Sequence, residues 1–157
     1  MNEANRRPAA PGRSGEIRRR ALLVEDNEVN LTIAEVLLKS QGLDVDEARN
    51  GEEAVRRFAA SAPGTYAFIF MDIVMPVMDG LEATRQIRRL SRPDAETVPV
   101  IAMSADAFPE TVRRSLRAGM NACLAKPLDV EKLRETIRGL PLPRTGDGTP
   151  GLHEEAR

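Results

Sequence analysis

The chain has 157 residues, 41% of them hydrophobic and 30% charged, with a formal net charge of −1; this fits one domain with tails and gives no reason to expect a nucleic-acid partner. A single cysteine, Cys123, excludes an intrachain disulfide and suits a reducing cytoplasm. The N-terminal stretch carries arginines without an apolar segment, and no apolar run approaches the length of a bilayer span, so neither a signal peptide nor a membrane partner is expected.

Charge and cations are unevenly placed. The first twenty residues carry six Arg and two Glu, whereas residues 21–139 hold 15 basic and 19 acidic side chains. Residues 1–16 read as a disordered basic arm. A solvated tail is the expectation for it, because no aromatic residue is interleaved with Arg6, Arg7 and Arg13. Residues 17–140 read as one folded domain, and residues 141–157, rich in Pro and Gly, as a flexible tail. The initial Met and irregular tails favour a stand-alone protein. The only histidine, His153, lies in that tail, which excludes imidazole catalysis inside the domain. Only Lys39, Lys126 and Lys132 interrupt a run of twenty Arg. Lys39 and Lys132 fall on helix surfaces; Lys126 does not, and a compact point charge chosen over Arg points to a purpose.

Taken in chain order, short apolar runs alternate with helical patterns. Ala21 to Val24 is a strand ending in Glu25-Asp26. Val29, Ile33, Val36 and Leu37 then recur at helical spacing to Ser40, with Gly42 as a stop. Leu43-Asp44-Val45-Asp46 alternates as a half-exposed edge strand does. Ala54, Val55 and Phe58 mark a second helix, ended by Pro63-Gly64. Ala67 to Met71 is continuously apolar, as a strand covered on both faces is, and stops at Asp72. Leu81, Thr84, Ile87 and Leu90 mark a third helix. Val98 to Met103 is another buried strand, stopping at Ser104, and Phe108, Val112 and Leu116 mark a fourth helix closed by Gly119. Ala122 to Ala125 is a last strand ending at Lys126-Pro127, and Val130, Leu133 and Ile137 mark a fifth helix. Five βα units imply a doubly wound parallel sheet with right-handed crossovers and helices on both faces. In such α/β sheets the functional site forms at the carboxyl ends of the strands.

Those ends carry Glu25 and Asp26, Asp72, Ser104 and Lys126. Taken singly, Glu25-Asp26-Asn27-Glu28 reads best as a charged helix start, and Ser104-Ala105-Asp106 as a cap. Their coincidence at four strand ends is what a charged helix start or a cap does not explain. Two carboxylates about 4 Å apart repel by roughly 4 kcal/mol at an effective dielectric of 20. Three together need a cation or take up protons. A hard divalent cation is the natural answer, and Mg²⁺ is bound by one or two carboxylates with phosphate and water. With Lys126 as a second positive charge and Ser104 as a hydroxyl donor, the set suits a transferred phosphoryl group. A carboxylate can itself be the nucleophile, and Asp72, on the central strand, is best placed.

The segments Val24-Glu25-Asp26-Asn27-Glu28-Val29-Asn30, Met71-Asp72-Ile73-Val74-Met75-Pro76-Val77-Met78-Asp79-Gly80, Ile101-Ala102-Met103-Ser104-Ala105 and Ala118-Gly119-Met120 with Leu124-Ala125-Lys126-Pro127 together resemble the response-regulator receiver family, over roughly residues 19–140. The variety is similar to receivers fused to hybrid sensor kinases. The resemblance implies a flavodoxin-like fold with strand order 2-1-3-4-5. It implies that Asp72 accepts phosphate, that Asp26 and the main-chain carbonyl of Val74 ligate Mg²⁺ beside Asp72, and that Glu25 acts mostly through water. Ser104 would bond the phosphoryl group, Lys126 would pair with it, and the Lys126–Pro127 bond would be cis. The implied partners are a histidine kinase or histidine phosphotransfer protein and a downstream protein target, met through the face of the fourth helix, fifth strand and fifth helix. A monomer or a weak phosphorylation-dependent dimer is expected. Such a chain is a signalling phosphoacceptor that assists its own phosphorylation and dephosphorylation, rather than an enzyme. Cys123 departs from the family, most of whose members carry Tyr or Phe three residues before the lysine.

Three other readings share parts of this pattern. A dinucleotide-binding protein would show a Gly-rich turn after the first strand, where this chain has Glu25-Asp26-Asn27-Glu28. A phosphatase with an aspartate nucleophile commonly carries a second Asp two residues on, where this chain has Val74. A docking module that is never phosphorylated would not need five chemically competent site residues.

Overall fold

The computed structural model describes residues 18–140; the basic arm and the C-terminal tail expected from sequence lie outside the described residues. Ten elements alternate: β1 (Arg19–Val24), α1 (Glu28–Ser40), β2 (Leu43–Ala48), α2 (Gly51–Ala60), β3 (Phe68–Asp72), α3 (Gly80–Arg88), β4 (Val100–Ser104), α4 (Pro109–Ala118), β5 (Ala122–Ala125) and α5 (Val130–Gly139). The five strands form one sheet in the order β2-β1-β3-β4-β5, and every pairing is parallel. This is the flavodoxin-like arrangement, with β2 at one edge as its alternation suggested.

Side chains alternate across the sheet because successive Cβ atoms point to opposite faces. Leu22, Val24, Ile69, Met71, Val100 and Ala102 face Ala54 and Phe58 of α2, Leu81 and Ile87 of α3 and Ala118 of α4. Ala21, Leu23, Phe68, Phe70, Ile101 and Met103 face Leu31 and Leu38 of α1 and Leu133 of α5. Both β3 and β4 are buried along their whole length, which is why they read as unbroken apolar runs.

Two helices differ from expectation in the face they bury. In α1 the residues turned inward are Leu31, Ala34 and Leu38, and Val29, Ile33 and Val36 are 65%, 46% and 61% exposed. The helix carries two apolar stripes, and the spacing of either one predicts a helix. In α4 the buried residues are Ser115 and Ala118, while Phe108 and Leu116 are 65% and 50% exposed.

Arginine forks tie several helix ends together. Arg92 reaches the carbonyls of Phe58 and Ser61 at 2.6 and 2.9 Å, closing the end of α2, and lies 4.3 Å from the Phe58 ring centroid. Arg88 donates to the Gly119 carbonyl through Nε at 3.0 Å and Nη2 at 2.8 Å, and to Ala95 through Nη1 at 3.0 Å. Gly119 itself has a φ of 110°, the left-handed turn that ends α4. Among the described residues no helix is long and apolar enough to cross a membrane.

Candidate phosphoryl site

The carboxyl ends of β1, β3, β4 and β5 converge at one end of the sheet. Asp72 is the last residue of β3 and is 4% exposed; Glu25, directly after β1, is 1% exposed. Asp26 is exposed. Glu25, Asp26 and Asp72 each offer an oxygen, and these oxygens lie within 4.8 Å of one another. Lys126 Nζ sits 3.2 Å from Asp72 Oδ2 and 3.3 Å from Glu25 Oε1. The other oxygen of Glu25 accepts the Asn27 N–H at 3.1 Å. Next to that bond, Asn27 caps α1 by accepting the Asn30 N–H.

Ser104 ends β4 one residue beyond the Asp72↔Met103 pair and opposite Ala125. The Lys126 N–H donates to its carbonyl at 2.7 Å, so the hydroxyl and the ammonium are held on adjacent strands. The hydroxyl oxygen accepts the Asp106 N–H at 3.3 Å. The Lys126–Pro127 peptide is cis.

The loop from β3 to α3 is folded back on itself. The Gly80 N–H donates to Ile73 O at 2.8 Å, and the Met78 N–H to Pro76 O at 2.7 Å. Between the last two stands Val77 with a φ of 71°, a γ-turn conformation a β-branched residue rarely takes. A methyl group at Gly80 would overlap the Asp72 carbonyl, so only glycine lets α3 start this close to the acid. Val74 turns its side chain outward, 80% exposed, and has only its main chain to offer a cation.

The electrostatics follow from this crowding. Burial, and then the neighbouring Glu25, push the Asp72 carboxyl up to about 6 against the opposing pull of Lys126. Lys126 is drawn down by burial, but Asp72 and Glu25 outweigh that and raise it overall. One ammonium against three carboxylates leaves net negative charge in a site whose donors are all oxygen, the chemistry of a hard divalent cation.

All the strand-end residues singled out in the sequence therefore lie at one end of the sheet; Lys126 meets Glu25 and Asp72 within bonding reach, and Asp26 brings an oxygen within 4.8 Å of those of the other two acids. Two further residues shape the surroundings of the site. Gly80 packs against the acid's own carbonyl, and its signal was the Met78-Asp79-Gly80 turn before an apolar helix. Asp106 holds the next helix: its Oδ1 accepts the Phe108 N–H at 2.9 Å and the Thr111 hydroxyl at 2.7 Å. Those bonds hold its carboxyl below the usual range.

Fold and site define a class of sheet protein whose strand ends gather acids around a central aspartate. Residues 21–138 match the model of the response regulator receiver domain, and the chain belongs to that family. It is 47% identical over 117 residues to the two-component response regulator ORR41 of Oryza sativa subsp. japonica, covering 73% of this chain and 87% of that protein. The receiver domain of the sensor histidine kinase PA1611 of Pseudomonas aeruginosa, crystallised with magnesium coordinated in its active-site cleft, is 38% identical with a TM-score of 0.69, over 78% of this chain and 96% of that one. The receiver domain of Saccharomyces cerevisiae Ssk1, solved with the histidine phosphotransfer protein Ypd1, is 30% identical with a TM-score of 0.66, over 76% of this chain and 86% of that one.

Proposed function

We propose that this chain takes a phosphoryl group from a phosphohistidine on a donor protein onto Asp72, within a receiver unit spanning residues 17–140. The observation that carries the reading is a buried aspartate on the central strand, 3.2 Å from a lysine ammonium and grouped with two further acids. The Asp72 carboxylate attacks phosphorus. Its O–P bond forms as the P–N bond to the donor imidazole breaks, and the imidazole leaves with the electron pair and is protonated by solvent. Lys126 holds its charge beside the attacking oxygen, and the Ser104 hydroxyl donates to a phosphoryl oxygen. Glu25, Asp26, Asp72 and the Val74 carbonyl would hold Mg²⁺, which when bound offsets the charge of the carboxylate and phosphoryl oxygens.

Apolar side chains ring these acids. Val29 and Ile33 on α1, Val74 and Val77 on the β3–α3 loop, and Phe108 before α4 are all exposed. A protein donor that buries such a rim brings its phosphohistidine over Asp72, in keeping with the complex known for the yeast relative. Val74 has no group to orient a hydrolytic water, so the phosphoryl group should persist until it is passed on or read through the α4-β5-α5 face. A cytoplasmic setting suits the unpaired thiol of Cys123.

The test is incorporation of phosphate from acetyl phosphate or a phosphohistidine protein, followed by intact mass. Wild type should gain one acid-stable, base-labile phosphate in Mg²⁺ and none in chelator. Asp72→Asn that still took up phosphate under the same conditions would sink the assignment.

A further inference from the structure

The α4 helix is held unlike the other four. Each of the others buries at least one large apolar side chain, such as Leu38, Phe58, Ile87 or Leu133. Helix α4 buries only Ser115 and Ala118. Its C-terminal end is clamped by the two Arg88 bonds to Gly119. At its N-terminal end the cap residue, Phe108, makes no side-chain cap bond and is followed by Pro109. The N–H of Phe108 and the Thr111 hydroxyl both donate to one atom, Asp106 Oδ1. Ser115, buried under the helix, donates to the Thr111 carbonyl at 3.0 Å. The N–H of the same Asp106 donates to Ser104 Oγ at 3.3 Å, close to the limit of a hydrogen bond.

We infer that Asp106 is the positioning residue that couples the Ser104 hydroxyl to α4, so that a phosphoryl group on Asp72 is read as a movement of the helix's first turn. This rests on the function proposed above. A hydroxyl that turns toward a phosphoryl oxygen lengthens the contact with the Asp106 N–H, which has little slack. The Asp106 backbone then follows the hydroxyl or releases it. Where the backbone follows, its carboxylate carries Phe108 and Thr111 with it; where it is released, the loop from Ala105 to Phe108 loses its tie to Ser104, and in both cases a helix without a large buried anchor is freed to pivot about the Arg88 clamp. The route runs through main chain and one carboxylate, and needs no ring on β5, where Cys123 stands half-buried.

The experiment uses the full chain with Mg²⁺ and beryllofluoride as the phosphoryl mimic, and reads two quantities: mimic affinity, and amide exchange over residues 105–118. In wild type the mimic should change exchange of the α4 first turn by about threefold or more. In Asp106→Ala the first turn should exchange about fivefold faster from the start, as expected when the bonds from the Phe108 N–H and the Thr111 hydroxyl are lost. The mimic should still bind within about threefold of wild type, but should no longer alter exchange in α4. Asp106→Asn, whose amide oxygen accepts the same two bonds, should restore the response, and Thr111→Val should weaken it. An undiminished mimic response in Asp106→Ala overturns the coupling while leaving Asp72 phosphorylation standing. Failure of wild type to bind the mimic would instead remove the function on which the coupling rests, and the coupling with it. Should Asp106→Ala fail to fold, an undiminished response in Thr111→Val overturns it.

Discussion

Helices α3 and α4 follow neighbouring strands, one ending in Asp72 and the other in Ser104, yet they are anchored in opposite ways. Helix α3 sinks Leu81, Ala83, Thr84 and Ile87 into the sheet and starts at a glycine pressed on the Asp72 carbonyl. The Thr84 hydroxyl donates to the Gly80 carbonyl at 2.8 Å inside that packing. Helix α4 rests on two small side chains and is fixed mainly at its ends. The acid sits on the side that packing holds still, and the hydroxyl on the side that has room to move. For the function proposed above, a nucleophile held in place beside a hydroxyl that reports its state, that division is an advantage.

The comparison breaks most directly at Gly80. Gly80→Ala should lose about 3 to 4 kcal/mol in urea unfolding, because the new methyl meets the Asp72 carbonyl and Met71 with no open side to escape into. Gly139→Ala, where a methyl meets nothing within 4 Å, should be nearly neutral. A mild Gly80→Ala would mean that the α3 start yields more than its packing indicates.

A gentler version compares the two helices side chain by side chain. Ile87→Ala in α3 should cost about 3 kcal/mol and Leu116→Ala in α4 less than about 1 kcal/mol, since the first is fully buried and the second half exposed. Equal losses in the same denaturation series would show α4 to be as deeply seated as α3.

The charge on Asp72 sharpens the contrast further. Its carboxyl titrates near 6 when folded, against 3.8 for its ordinary value. Between those two pH values the folded chain binds more protons at this site than the unfolded chain does. Its contribution to stability therefore falls as pH rises from about 4 to about 6 and stays low above. In chelator at pH 7, Asp72→Asn should be more stable than wild type by up to about 3 kcal/mol, and the gap should close near pH 4. A gap independent of pH would mean that neither burial nor the neighbouring Glu25 raises this carboxyl.

Much of this was legible before any coordinates. Alternating apolar runs and helical patterns fixed ten elements and their order, because strands buried on both faces cannot hide polar residues. The acids and Lys126 stood out for the same reason, each ending an apolar run. The inward faces of α1 and α4 were not legible. Helix α1 carries two apolar stripes, and periodicity alone does not say which one the sheet covers. On α4 the residues that pack are Ser115 and Ala118, too small to stand out. Nor could sequence show one atom of Asp106 serving both Phe108 and Thr111, since that depends on the path of an irregular loop.

The scarcity of lysine has a practical side. Of the chain's three side-chain amines, Lys39 and Lys132 stand in solvent, while the Lys126 side chain is 20% exposed and paired with two carboxylates. An acylating reagent reaches the first two on the surface, Lys39 beside its ion-pair partner Glu35, and finds the third shielded and held protonated. With so few targets, each labelled peptide reports one place. The extent to which Lys126 resists acylation becomes a chemical footprint of whatever occupies the acids around it, readable without a radioactive donor or a known partner.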